Sequence, residues 1–214
     1  PAPDMSCPVN IINVSAHFFH HVLLELGERF LEGKYNIAYW VWEMRYFPHA
    51  WKRWLPYVNE IWTPSTFSQD ALARGAGVPV VRIPHCLHSE TPTSIGRREL
   101  GLPETGFMFL SAVDFLSVPE RKNPLGTVEA FLRAFGGNCT EAYLCLKLSN
   151  TGHRPDVMTQ LEEMSNGCRS ILLMRSALDR PSMNALINSC DAYISLHRSE
   201  GFGLPMAEAM ALGK

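Results

Sequence analysis

At 214 residues, with 46% hydrophobic and 19% charged side chains, the chain holds enough apolar material for one large or two small globular cores. A formal net charge of −2 without any basic run excludes the electrostatic footprint of a nucleic-acid binder. No apolar stretch approaches the ~20 residues that cross a bilayer.

In chain order, VNIINV (9–14) predicts a strand. Residues 17–32 predict a helix with Phe18, Phe19, Val22, Leu23, Leu26 and Phe30 on one face, Glu25, Glu28, Arg29 and Glu32 on the other, and Gly33 as its stop. NIAYWVW (36–42) and EIWT (60–63) predict strands, Ser65 caps a helix through about Arg74, and VPVVRI (78–83) predicts a fourth strand. A second set follows at 107–113, 142–148, 169–174 and 192–196. Between these strands, Asn123-Pro124 reads as a cap and first helical proline ahead of the stripe Leu125, Val128, Phe131, Leu132, Phe135, and Asp179-Arg180-Pro181 opens a helix through Asn188.

The strands are continuously apolar rather than alternating, as suits parallel strands buried on both faces. The chain is therefore expected to be α/β, built as two Rossmann-like, doubly wound parallel-sheet lobes with right-handed crossovers. The polar, Pro- and Gly-punctuated stretch SETPTSIGRRELGLPET (89–105) reads as a linker between a lobe at 1–88 and a lobe at 106–214. The N-terminus Pro1-Ala2-Pro3-Asp4 has neither a basic nor an apolar signal region. Six singly dispersed cysteines, Cys145 and Cys190 among them in apolar stretches, read as buried free thiols in a reducing, cytoplasmic setting.

Doubly wound folds bind ligands at the C-terminal ends of their strands, so the segment His197-Arg198-Ser199-Glu200-Gly201-Phe202-Gly203-Leu204-Pro205 is the most informative. It joins the strand AYISL to the helix PMAEAMAL. Its glycines permit close backbone approach, Pro205 suits a helix start, and the helix N-terminus is a seat for an anion. Glu200 precedes the turn and Glu208 follows it, placing a carboxylate suited to vicinal sugar hydroxyls on either side. Read as structure alone, the same residues are a glycine turn and a dipole-favoured glutamate.

SEGFGLPMAEAMALGK, with its two glutamates separated by seven residues, resembles the signature of the family 4 retaining glycosyltransferases, which have the GT-B fold. The resemblance implies that Glu200 contacts the donor hexose, that Gly201, Phe202, Gly203 and Leu204 support the sugar and diphosphate, and that Glu208 holds the ribose hydroxyls. ERKNPLGTVEAFLRAF (120–135) is similar to the family's segment in which a lysine, here Lys122, neutralises the donor diphosphate. An arginine that usually precedes that lysine by five or six residues is replaced by Leu116 and Ser117, so Arg121 or Lys147 is expected to supply the second positive charge. Base recognition is expected near Met174-Arg175. The resemblance covers nearly the whole chain and implies further strands and helices before Pro1 and after Lys214, so the expected lobes are incomplete at both ends.

The N-terminal half, with NIAYWVWE, Phe47-Pro48 and NEIWTPS, resembles a bacterial branch of the same family. Trp42 and Glu43 are expected on the acceptor side, with one of Trp40 and Trp42 in the core, and His85, in Ile83-Pro84-His85, is a third acceptor-side candidate. His85-Cys86-Leu87-His88 and His17, His20, His21 lack the further ligands a structural zinc needs. No Asp-x-Asp metal motif is present, so the resemblance implies a metal-independent reaction without a cofactor.

The implied activity is transfer of a sugar from a UDP- or GDP-sugar to an unidentified saccharide, lipid-linked glycan or protein, with retention of configuration. Peripheral membrane association of a longer parent is also compatible. A non-catalytic nucleotide-sugar-binding module and a sugar-nucleotide epimerase of the same architecture remain alternatives.

Overall fold

The computed structural model describes residues 6–87 and 94–214. His88 and the first part of the expected linker, 89–93, lie outside the described residues. The described residues form two compact units, one of residues 6–86 with Glu200–Phe202, the other of residues 87 and 94–199 with Gly203–Lys214.

The first unit is a four-stranded parallel sheet, β1 (Val9–Ile12), β2 (Tyr35–Tyr39), β3 (Glu60–Thr63) and β4 (Val80–Arg82), in the order β1-β2-β3-β4. The β1–β2 register is pinned by a buried amide pair, in which Asn10 donates to the Asn36 side-chain oxygen (2.8 Å) and Asn36 donates to the Leu31 carbonyl (2.9 Å). Both amides are thereby satisfied inside the core.

The helix expected over 17–32 is shorter. α1 (Phe19–Leu26) stops at Gly27, whose φ of 75° breaks the helical path, and a 3-10 turn (Glu28–Phe30) follows. The apolar stripe is only partly buried: Phe19 and Val22 are buried, while Phe18 and Leu26 are exposed.

A 3-10 helix at His49–Tyr57 has no counterpart among the expected elements. Its three-residue turn stacks Trp51 and Trp54 on one face, and both are buried with Phe19, Trp40 and Ile61. α2 (Thr66–Ala76) starts as expected at Ser65, whose hydroxyl accepts from the Ser68 N–H (3.1 Å).

The second unit is β5 (Phe107–Asp114), β6 (Ala142–Ser149), β7 (Ile171–Met174) and β8 (Ala192–Tyr193), all parallel in the order β7-β6-β5-β8. The chain steps outward from β5 to β7 and returns to the other side of β5, which sets a topological switch between β5 and β8. α3 (Pro119–Lys122) is one turn ahead of α4 (Pro124–Phe135). α5 (Pro155–Ser165), absent from the expected elements, begins at a first-position proline and buries Val157, Met158 and Leu161. α6 (Arg180–Ser189) and α7 (Leu204–Ala211) complete the unit.

Leu144, Leu146 and Leu148 of β6 pack with α4 and α5, whereas Cys145 packs with α6 and α7. The two-residue period of a strand puts Lys147 on the α6–α7 face with Cys145. The later residues of the expected linker belong to this unit. Arg97 donates to the Ser189 and Gly106 carbonyls and pairs with Asp191, and Leu102 is buried. Among the described residues no helix is long and apolar enough to cross a membrane.

Candidate functional site

In the second unit the connection after β5 carries Lys122 and the chain after β8 carries Gly203, Leu204 and Glu208, whereas Glu200, Gly201 and Phe202, predicted with them, belong to the first unit. Gly203 caps α7 with a left-handed backbone (φ 78°, ψ 53°), so the chain turns from the β8 loop into the helix at a residue whose missing Cβ makes that conformation inexpensive. Leu204 and Pro205 are then the first two helical residues, and Glu208 lies just beyond the first turn. Glu208 is 5% exposed and forms an ion pair with Arg180 at the start of α6. Sequence reasoning missed Arg180: it opens a helix behind the Asp179 cap, and nothing in its local sequence refers to a glutamate 28 residues away.

The β5–α4 and β8–α7 loops are stitched together. Arg198 N–H donates to the Arg121 carbonyl (2.8 Å), the Arg121 guanidinium donates to the Ser199 carbonyl (2.8 Å), and the Arg198 guanidinium donates to the Glu120 carbonyl. Arg121, proposed from sequence as a diphosphate cation, thus orders the loop that leads into the glycine turn. Lys122 closes α3 next to it.

Asn123 does not cap α4 as expected. It sits in the left-handed region (φ 53°, ψ 47°), between two helices, and its side chain instead donates to the Leu196 carbonyl at 3.2 Å. Leu116, at a position where the resemblance led to an arginine, is exposed.

Lys147 is 5% exposed at the end of β6, and its ammonium donates to the Leu148 carbonyl and the Ser149 hydroxyl, both at 3.3 Å. Burial holds its pKa below the ordinary lysine value, partly opposed by the Cys145 thiol and the Asp114 carboxylate. An ammonium so placed gains from an anion brought to it. Arg175, the base-side candidate, is exposed and paired with Glu162 of α5. A cavity of about 490 Å³ in this unit is lined mainly by residues of α4 and α5 and the turns before them, with Arg154 held there by Glu120 and Asp156. It is on the opposite sheet face from Lys147.

In the first unit, Trp40 is fully buried and Trp42 half-buried, so one tryptophan of the pair is core as expected. Trp42, Glu43 and Trp51 line a pocket of about 250 Å³ with Asn13, Ser15, His17, Tyr39 and Val41.

The third acceptor-side candidate stands beside it. The Tyr39 hydroxyl donates to the Ile83 carbonyl (2.9 Å), leaving its oxygen to accept from Nδ1 of His85 (3.2 Å). Burial lowers the His85 pKa, which favours the neutral ring.

Glu200, Gly201 and Phe202 pack within this same unit. Phe202 meets the His85 ring edge-on at 4.9 Å. The Gly201 carbonyl accepts from the Ser65 hydroxyl and, at 3.1 Å, from Ser68. A Cβ on Gly201 would lie 2.4 Å from a Val41 methyl, so glycine there serves close packing rather than an unusual φ.

No protein-family model matches the chain, and no curated protein does. Solved structures do. HepE of Anabaena, in complex with UDP and glucose, superposes with a TM-score of 0.72 at 15% identity over 97% of this chain and 57% of its own. The pneumococcal O-GlcNAc transferase GtfA, in complex with UDP and GlcNAc, gives 0.59 at 14% identity over 91% and 38%. The trehalose-6-phosphate synthase OtsA gives 0.61 at 10% identity over 92% and 58%. The fold is the GT-B fold. The chain spans little more than half the length of HepE and OtsA, and less of GtfA. At these identities the likeness establishes the GT-B architecture of two parallel α/β sheets and no more.

Proposed function

We propose that the protein is a glycosyltransferase that moves a sugar from a nucleoside-diphosphate sugar to an acceptor with retention of anomeric configuration. The observation that carries the reading is the arrangement at the β5–β8 switch point. There Lys122 closes α3 in the connection after β5, Lys147 lies near the end of the neighbouring β6, and Glu208 is held at its place on α7 behind a left-handed glycine. Crystallised proteins of the same fold carry UDP with glucose or GlcNAc, which supports a nucleotide-sugar donor here.

In this reading Glu208 accepts hydrogen bonds from the two ribose hydroxyls. Lys122, Lys147 and the α7 N-terminus stabilise the negative charge that grows on the diphosphate as the bond to the anomeric carbon breaks. Glu200 orients the hexose, and the acceptor hydroxyl attacks from the face the diphosphate leaves, passing its proton toward the departing phosphate oxygen. The nucleotide is UDP or GDP, no metal ion or cofactor takes part, and the six free thiols suit a cytoplasmic setting.

The test is calorimetric titration with UDP-glucose and GDP-mannose, followed by product analysis. Binding of at least one donor that weakens tenfold or more in Glu208→Ala, with an axial-to-axial or equatorial-to-equatorial product, supports the proposal. Unchanged affinity in Glu208→Ala sinks the donor-site assignment, an inverted product sinks retention, and loss of turnover on chelation sinks metal independence.

A further inference from the structure

We infer that Arg154 is a positioning residue of the donor site: through Glu120 it holds the single turn α3, and with it Lys122, at a fixed place beside the β8 loop. Its effect on donor binding rests on the reading of Lys122 given under the proposed function; the clamp on α3 does not. The turn has little to hold it from within. It is closed by two hydrogen bonds of helical span, from the Lys122 and Asn123 amides to the Val118 and Pro119 carbonyls (3.1 and 2.7 Å), and a lone helical turn is unstable by itself. Asn123 then leaves the helical path in the left-handed region, so α4 does not extend it.

On one side α3 is tied to the β8 loop. The Arg198 N–H donates to the Arg121 carbonyl, the Arg198 guanidinium to the Glu120 carbonyl, and the Asn123 side chain to the Leu196 carbonyl. Arg154, the residue before α5, ties the turn in the other direction. Its guanidinium donates to both Glu120 oxygens (2.8 and 3.2 Å) and to both Asp156 oxygens (2.9 and 3.0 Å). Nε and Nη2 serve Asp156, and Nη1 and Nη2 serve Glu120, so each carboxylate is gripped by two donors.

The local sequence prepares this arginine. Pro155 opens α5 and keeps the residue before it out of the helical region, and Arg154 lies at φ −138°, ψ 67°. Asp156, in the first turn of α5, holds the guanidinium plane, so its free end is aimed at Glu120. Arg154 in turn keeps the Glu120 and Asp156 carboxyls below their ordinary pKa values. Isolated surface pairs contribute little to stability, and the Glu120 side chain is 63% exposed. What the clamp sets is therefore place rather than stability. A displacement of about 1 Å in an active site can cost roughly a hundredfold in rate.

The experiment uses the whole chain with the variants Arg154→Gln, Arg154→Lys, Glu120→Gln and Lys122→Ala. Hydrogen exchange at the Lys122 and Asn123 amides is followed by NMR, and donor affinity by calorimetry with UDP-glucose and GDP-mannose. Arg154→Gln and Glu120→Gln are each expected to speed exchange at both amides at least about fivefold and to leave β6 unchanged. Each also weakens the donor at least about fivefold, and Arg154→Lys, which keeps the charge without the fork, loses less. In a Lys122→Ala background, Arg154→Gln changes donor affinity less than about twofold, because the lysine it places is gone.

Unchanged exchange in Arg154→Gln and Glu120→Gln overturns the clamp. Faster exchange with full donor affinity overturns the positioning role, as does an equal loss of affinity with and without Lys122. If the unaltered protein binds neither nucleotide sugar, the donor reading falls and the role of Arg154 in binding falls with it, while the exchange rates still decide the clamp. Donor binding with unchanged exchange does the reverse: the donor reading stands and Arg154 has no part in it.

Discussion

Arg180, the first residue of α6, forms an ion pair with the nearly buried carboxylate of Glu208 on α7. One of the Glu208 oxygens is thereby committed to a guanidinium, which fixes the carboxylate plane before any ligand arrives. Removing the arginine leaves an anion that is 5% exposed without this partner. Because the Arg180 side chain is itself about half in water, Arg180→Ala is expected to cost about 1–2 kcal/mol rather than the larger cost of a wholly buried pair. Urea unfolding of the two single variants and the double variant checks this. The pair is coupled if the double variant loses clearly less than the sum, and strict additivity would refute it.

The two glycines of the turn fail for different reasons when given a side chain. Gly201→Ala brings a methyl 2.4 Å from Val41 Cγ1 and 3.2 Å from the Trp42 carbonyl, so it is expected to cost about 1–3 kcal/mol of overpacking. Gly203→Ala meets strain from its left-handed backbone (φ 78°), about 1–2 kcal/mol. A Val41→Ala second mutation should recover much of the first loss and none of the second, as read by thermal unfolding.

Lys147 makes stability depend on pH in the alkaline range. Its folded-state pKa lies below the unfolded value, chiefly through burial. Between the two values the unfolded chain binds more protons, so stability rises with pH there. The penalty is fully present below the folded value and gone above the unfolded one, at about 10.4. Lys147→Met is expected to stabilise the protein at neutral pH and to flatten the alkaline rise. A neutral-pH loss of stability in that variant would show that the ammonium is better satisfied than its two 3.3 Å contacts indicate.

The six thiols should separate by reactivity. Burial pushes Cys145 up to about 12 and Cys190 to about 11, leaving almost no thiolate near neutrality. Cys7 and Cys86 are exposed. With an aromatic disulfide reagent at pH 8, Cys7 and Cys86 should react first, and Cys145 and Cys190 only after unfolding. Prompt labelling of Cys145, located by peptide mapping, would contradict the packing of β6 against α6 and α7.

His85 works in the acid range and with the same sign as Lys147. Its folded pKa is lowered by burial, so the unfolded chain binds the proton more readily and stability falls as pH drops through about 6.5. His85→Gln should remove that part of the acid slope in urea unfolding between pH 5 and 7.5. An unchanged slope would show that the ring is solvated in the folded protein.

The sequence determined most of the architecture, because central parallel strands such as β5 and β6 are covered by helices on both faces and are written as mainly apolar runs, although the edge strands β1 and β4 leave Val9, Ile11 and Val81 exposed. It also marked the loops that carry Lys122, Gly203 and Glu208, since caps, first-turn prolines and turn glycines are local signals. It read less well where local signals compete. Gly27 ended a helix whose apolar period ran on past it, and Asn123, a cap by composition, became a left-handed hinge whose side chain reaches Leu196.

Partners distant in sequence were decided only by tertiary structure. No pattern pairs Arg180 with Glu208, Arg121 with the Ser199 carbonyl, or Trp51 with Trp42. Each pair meets because the order β7-β6-β5-β8 or a 3-10 turn brings the two residues to one place. The burial of Lys147 is of the same kind: a strand residue's alternation is written in the sequence, but what covers each face is set by which helices fold over it.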